Sequence, residues 1–241
     1  MSSQSGDNIK TNRSGWSFKD LDPMNFETHV GKSVPGYENG HKIITLLSDY
    51  FISENSLIYD IGCSTGNLIA KLSKYHSSKK DIKFIGIEPA NNFAEIFQEN
   101  TNALNLNHEY EFINCKAQDY EFQKFDMACA YYTIQFIKPR YRQDLINAIY
   151  EKLNWGGGFF FFEKVRGSDA RFQDMLNSIY LEYKKEIGYS NEEIINKMMS
   201  LKGVLEPYSS NENCNFLVRA GFKDICVIFK NLCFEGILAI K

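Results

Sequence analysis

The segment that most limits how this chain can fold is Leu57-Ile58-Tyr59-Asp60-Ile61-Gly62-Cys63-Ser64-Thr65-Gly66-Asn67, together with Phe84-Ile85-Gly86-Ile87-Glu88 further on. An apolar run ends in an acid and a glycine-bearing turn, a helical pattern follows, and a second apolar run ends in another acid. That order makes a parallel βαβ unit with both acids at the carboxyl edge of the sheet. Gly62 and Gly66 permit backbone angles and close approach that a Cβ would block, so a flat or charged ligand can lie against the turn. Glu88 can accept hydrogen bonds from both hydroxyls of a ribose. The spacing Asp60-x-Gly62-x-x-x-Gly66 leaves a wider turn than the Gly-x-Gly-x-x-Gly of dinucleotide binders, without its close pyrophosphate cradle. The unit is laid out for a nucleoside.

Strand and helix patterns alternate along most of the chain. We expect a helix over 38–52, a strand at Leu57–Ile61, a helix over 66–76, a strand over 82–88, a helix over 91–103 and strands over 109–114 and 125–131. A helix over 139–153 carries Leu145, Ile149 and Leu153 on one side, and Gly156-Gly157-Gly158 then opens the apolar strand Phe159–Phe162. Alternation of this kind implies a parallel sheet covered on both faces. Two helices over 168–187 and 190–201 interrupt the pattern as a cap, with the insertion spanning about 166–206. A helix over 211–219 and two strands, 224–229 and 233–240, close the chain as an antiparallel hairpin. Residues 1–20 are rich in Ser, Asn, Gly and Lys and show no fold element; we read 1–30 as a flexible segment or lid and 31–241 as one domain.

Composition narrows the partners. The 27 basic and 30 acidic residues give a net charge of -3, with no Lys/Arg stripe to follow a phosphate backbone, so no nucleic acid is expected. The six cysteines contain no Cys-x-x-Cys pair and sit mostly in apolar runs, which argues against a structural metal and for a reducing, cytoplasmic setting. No stretch has the length and apolarity of a membrane span, and the N-terminus lacks a signal-like apolar core.

The first motif resembles motif I of class I S-adenosylmethionine-dependent methyltransferases, with Glu88 as the motif II acid. The resemblance implies a Rossmann-like α/β fold, a mostly parallel seven-stranded sheet and S-adenosyl-L-methionine as cofactor. A narrower resemblance, to carboxy-S-adenosylmethionine synthases, is carried by Ser33-Val34-Pro35-Gly36-Tyr37, Tyr59–Ser64, Thr133-Ile134-Gln135-Phe136, the strand from Gly157 to Lys164, Gly188-Tyr189-Ser190, Ala220-Gly221-Phe222 and Phe234-Glu235-Gly236. Those enzymes convert S-adenosylmethionine and prephenate into a carboxylated cofactor for tRNA wobble-uridine modification, and they form homodimers. The resemblance implies cofactor contacts at Tyr37, Gly62, Cys63, Ser64 and Glu88, and we expect Asp60, Gly66, Pro89, Lys116, Ala117 and Tyr131 to complete the cofactor site. The family's arginine, which holds the extra carboxylate, falls at Met198, a thioether that makes no charge-assisted bond. Its asparagine after strand four is Tyr131 here, and its Asp-Ile pair near the adenine is Lys116-Ala117.

These departures point to methyl transfer onto a nitrogen or oxygen of a small, aromatic, secondary-metabolite-like acceptor, because the carboxylate-reading residues are replaced unless Lys197 reaches in. The alternatives are carboxy-S-adenosylmethionine synthesis and cofactor binding without catalysis. Tyr132, Gln135, Tyr189 and Met198 are the expected acceptor-side residues, with Tyr180 and Tyr183 in the cap. His29 and Glu163 are the candidate general bases, with His41 close to the same segment.

Overall fold

The computed structural model describes residues 3–7 and 9–241. Seven strands form one sheet: β3 (Leu57–Ile61), β4 (Ile82–Ile87), β5 (His108–Ile113), β6 (Phe125–Tyr131), β7 (Leu153–Lys164), β8 (Asp224–Asn231) and β9 (Phe234–Ile240). Their order is β5-β4-β3-β6-β7-β9-β8; β9 runs antiparallel to β7 and β8, and the other pairs are parallel. The order reverses between β3 and β6, so their carboxyl ends splay apart and open a crevice.

The four consecutive phenylalanines of β7 show why this sheet is central. Phe159 and Phe161 pack on one face with Tyr59, Ile61, Ala128 and Ala130, while Phe160 and Phe162 pack on the other with Ile58, Met127 and Cys129. A strand buried on both faces has no polar alternation to display. Its reach exceeds expectation: β7 begins at Leu153 and runs through the glycines, because residues pair on both sides, Gly158 with Met127 and Ile240. Helices α2 (Tyr37–Leu47), α3 (Asn67–Tyr75), α4 (Ala94–Asn102), α5 (Pro139–Lys152) and α8 (Ser210–Ala220) lie close to their expected ranges, and the cap is α6 (Ala170–Glu186) and α7 (Asn191–Ser200).

The N-terminal region differs from the sequence expectation. Strands β1 (Ser3–Gln4) and β2 (Lys10–Thr11) form a hairpin, and α1 (Pro23–Ser33) is a full helix capped by the Asp22 carboxylate. The hairpin and the chain after it are bound to α7: Asn196 Nδ2 donates to the Gln4 carbonyl, and the Ser14 and Trp16 amides donate to the Met199 and Ser200 carbonyls. Trp16, Leu21 and Phe26 bury against Ala90 and Phe93. Apolar residues are sparse here and their partners lie far along the chain, so no local periodicity announces the elements. Among the described residues no helix is long and apolar enough to cross a membrane, and all six cysteines are free thiols.

Candidate active site

A cavity of about 840 Å³ opens at the carboxyl ends of β3, β4 and β6, roofed by α1, α6, α7 and the segment around Trp16. Its floor is the turn after β3. Gly62 has φ +77°, and a Cβ there would fall 2.2 Å from Thr133 Oγ1, so only glycine fits. Ser64 and Tyr132 hold positive φ of 47° and 59°, the strained backbone that functional turns retain. Glu27 of α1 staples the helix over this turn, accepting from Asn67 Nδ2 at 2.6 Å and from the Thr65 hydroxyl.

One end of the cavity is acidic. Glu88 accepts from the Ala90 amide at 2.9 Å and the Ser64 amide at 3.3 Å, which fixes its carboxylate at the tip of β4. Burial pushes it up to about 7, against the pull of those two amides. Asp60 is pushed to about 7 by burial and then by the negative charges of Glu88 and Glu27. Two buried acids, one of them raised further by the other's charge, suit a ligand that brings hydroxyl donors or positive charge.

The other end is basic. Lys164 at the end of β7, Lys184 of α6 and Lys197 of α7 all line the cavity. Among the described residues none lies within ion-pairing distance of a carboxylate; Lys164 and Lys184 instead face the Tyr180 ring at 4.4 and 5.0 Å. Burial lowers Lys164, and Lys184 is held at about 8 by burial and the Lys164 charge. Lys197 is held well down by burial and then by Lys184. Lys197 donates to Ser33 Oγ at 2.6 Å and lies 2.6 Å from His29 Nε2. Among the described residues, Tyr132 places a buried hydroxyl without a hydrogen-bond partner, and Trp16 a buried indole N–H without one, on the same walls.

Of the expected residues, Tyr37, Asp60, Gly62, Cys63, Ser64, Glu88, Pro89, Lys116, Ala117 and Tyr131 line the cavity, as do His29, Tyr132, Gln135 and Met198. Three stand behind its walls. Gly66 caps α3 under the turn, and Tyr189 donates to Asp7 outside the cavity. Glu163 is buried beside the loop after β6; burial raises its carboxyl well above the usual range, against the pull of Arg142 and of the Ile134 and Gln135 amides. His41 packs on Tyr37 and Tyr131 with its Nδ1 3.0 Å from Lys71 Nζ. Lys164, Lys184, Trp16 and Glu27 are site residues that sequence reasoning missed. Lys184 shares a helical face with Leu176 and Tyr180, and a lysine on a buried stripe was the available signal. Met198, at the position of the resembling family's arginine, is 56% exposed at the cavity rim, whereas its neighbour Lys197 is 6% exposed and points inward. The loss at 198 therefore does not leave the site without a cation.

Residues 58–157 match the methyltransferase domain family. The carboxy-S-adenosyl-L-methionine synthase of Staphylococcus epidermidis is 37% identical over 94% of this chain and 97% of its own length, and that of Campylobacter lari is 37% identical over 90% of each. Among solved structures, human N-acetylserotonin methyltransferase in complex with S-adenosylmethionine superposes with a TM-score of 0.57 at 17% identity, over 84% of this chain and 51% of that one. The carbon methyltransferase CurJ gives 0.60 at 12% identity, over 92% and 61%. This chain thus spans only part of those two enzymes, and they share its fold.

Proposed function

Since the chain belongs to the class I S-adenosylmethionine-dependent methyltransferase family, alongside relatives named carboxy-S-adenosyl-L-methionine synthase, we propose that it transfers the ring carboxyl group of an acidic second substrate such as prephenate to the methyl carbon of S-adenosylmethionine: the ring C–carboxyl bond breaks as the ring hydroxyl leaves and the ring aromatises, and the methyl proton departs with that hydroxyl as water. The single observation that carries this reading is the set of three lysines, Lys164, Lys184 and Lys197, that face one cavity without an ion-paired carboxylate among the described residues. Buried cations that repel one another are costly unless a ligand neutralises them, so the site favours a carboxylate-bearing substrate or product over a neutral aromatic amine.

The residues present fit S-adenosylmethionine, which is the cofactor of the family. The cradle at Gly62 is one that a side chain would fill, and the amides and acids around it match a nucleoside. Glu88 would hold the ribose hydroxyls, Tyr37, Cys63, Ser64 and Pro89 would surround the nucleoside, and Lys116, Ala117 and Tyr131 would flank it. When bound, the cofactor supplies a carbon activated by the adjoining sulfonium. Lys164, Lys184 and Lys197 orient the acid through its carboxylates, Tyr132 offers its free hydroxyl to the same ligand, and the roof of α1, α6 and α7 keeps bulk water out. No base is required from Glu163, which stands behind the cavity wall.

Purified protein given S-adenosylmethionine and prephenate, with its small molecules read by mass spectrometry, tests the proposal. Carboxylated S-adenosylmethionine is the expected product. S-adenosylhomocysteine together with a methylated amine or phenol from an acceptor panel would overturn it and restore methyl transfer to a small aromatic acceptor.

A further inference from the structure

Behind the basic end of the cavity lies a chain of three side chains from three separate elements. Asp7, at the turn of the N-terminal hairpin, accepts from Lys32 Nζ at 2.8 Å and from the Tyr189 hydroxyl, and its Oδ2 lies 2.6 Å from His29 Nδ1. His29 Nε2 lies 2.6 Å from Lys197 Nζ, and the Trp16 ring stacks on the imidazole with centroids 5.7 Å apart. His29 and Lys197 line the cavity, whereas Asp7 does not.

We infer that Asp7 is a positioning residue for Lys197, acting through the tautomer of His29. An ionised carboxylate only accepts, so the imidazole proton must sit on Nδ1, and Nε2 is left as a lone pair facing the ammonium. Lys197 then spends one N–H on His29 and one on Ser33, with the Trp16 ring 5.0 Å from its Nζ, and the third N–H, without a hydrogen-bond acceptor among the described residues, is the one available to a ligand in the cavity that Lys197 lines. With the opposite tautomer an N–H would face the ammonium, and Lys197 would have to turn away or lose its proton. The charge states of Asp7 and His29 agree with this arrangement, and the Asp7 charge offsets part of the burial and lysine repulsion that lower Lys197. Burial raises Asp7, yet bonds from Lys32, Tyr189 and His29 outweigh it and hold the carboxyl at about 2; burial and Lys197 keep His29 at about 4, hence neutral at pH 7. The charged groups facing Lys197 are Lys184 of α6, Asp7 of the hairpin and Lys164 of β7, so Asp7 is the sole acid among them. His29 is therefore an acceptor held in place rather than a free base.

The part about ligand aiming rests on the acidic-substrate reading; the tautomer does not. Nitrogen-15 NMR of histidine-labelled protein at pH 7, with His29→Gln for assignment, is expected to show the Nδ1–H form in the unaltered chain, and an Nε2–H form would overturn the inference. Asp7→Asn keeps a residue that tolerates the positive φ of 49° at this turn while removing the charge. It is expected to raise KM for prephenate about 10-fold with S-adenosylmethionine Kd within about 2-fold, to move the alkaline limb of kcat/KM to lower pH, and to be partly rescued by Asp7→Glu. An unchanged KM, or parallel loss of both affinities as a general loosening would give, overturns it. Should prephenate not react with the unaltered protein either, the functional reading falls, while the tautomer still decides the relay.

Discussion

The two ends of the cavity are opposite in charge and opposite in origin. The acidic end comes from two adjacent parallel strands, and each acid follows directly on an apolar run. The basic end is assembled from the end of β7, the middle of α6 and the middle of α7, elements that meet only through the cap. A cofactor pocket fixed by one βαβ unit can thus stay constant while the cap sets what arrives at the other end.

The sharpest way to break this comparison is at Glu88. Glu88→Ala removes an acceptor held by two amides, and charge-assisted bonds are worth about 1.5–3 kcal/mol each. S-adenosylmethionine affinity is expected to fall by about 100-fold or more in calorimetric titration, with the fold retained by circular dichroism. At the other end, Lys197→Met removes one such bond to the acid. Prephenate KM should rise about 10-fold or more while the S-adenosylmethionine Kd moves by less than about 2-fold. If both constants changed together in either variant, the cavity would not be two separable sites.

The same contrast explains what the sequence disclosed. Asp60, Gly62 and Glu88 were legible because their chemistry follows from spacing within one contiguous unit, and β7 was legible as a buried strand from its four phenylalanines. The basic end was not, because the feature that matters is which lysines share a cavity, a property of how α6 and α7 pack. The resembling family's arginine corresponds to 198, whereas the inward-facing residue is 197, a one-residue step that turns a helical side chain by about 100°. Asp7 and α1 escaped for a related reason: the hairpin folds onto α7, nearly the whole chain away.

Stability and pH separate the ends further. Asp60 sits at about 7 in the folded protein against 3.8 for an ordinary aspartate, so the folded state keeps a proton that the unfolded chain releases, and stability of the cofactor-free protein falls as pH rises from about 4 to 7. Asp60→Asn cannot ionise and should raise stability at pH 8 by on the order of 1–3 kcal/mol, a Tm gain readable by calorimetry, and should flatten that pH dependence. An unchanged Tm would mean that Asp60 is not strained by charge. Lys184 behaves oppositely. Held at about 8, it loses its proton just above neutrality, so prephenate affinity should fall several-fold between about pH 7 and 9 while cofactor affinity does not. Lys184→Arg, which stays charged, should remove that decline.

The smallest expected effect is the most discriminating for the family reading. Met198→Arg restores the residue type that the resembling enzymes use, yet position 198 is more than half exposed at the rim, where an ion pair is worth at most about 1 kcal/mol. With Lys197 already inside the cavity, a second cation at the rim would also meet the repulsion that lowers Lys184 and Lys197. Affinity for the carboxylated cofactor should therefore change by less than about 5-fold. A gain of 100-fold would mean that the carboxylate is read at 198 after all, that its loss was functional, and that the lysine cluster serves some other acid.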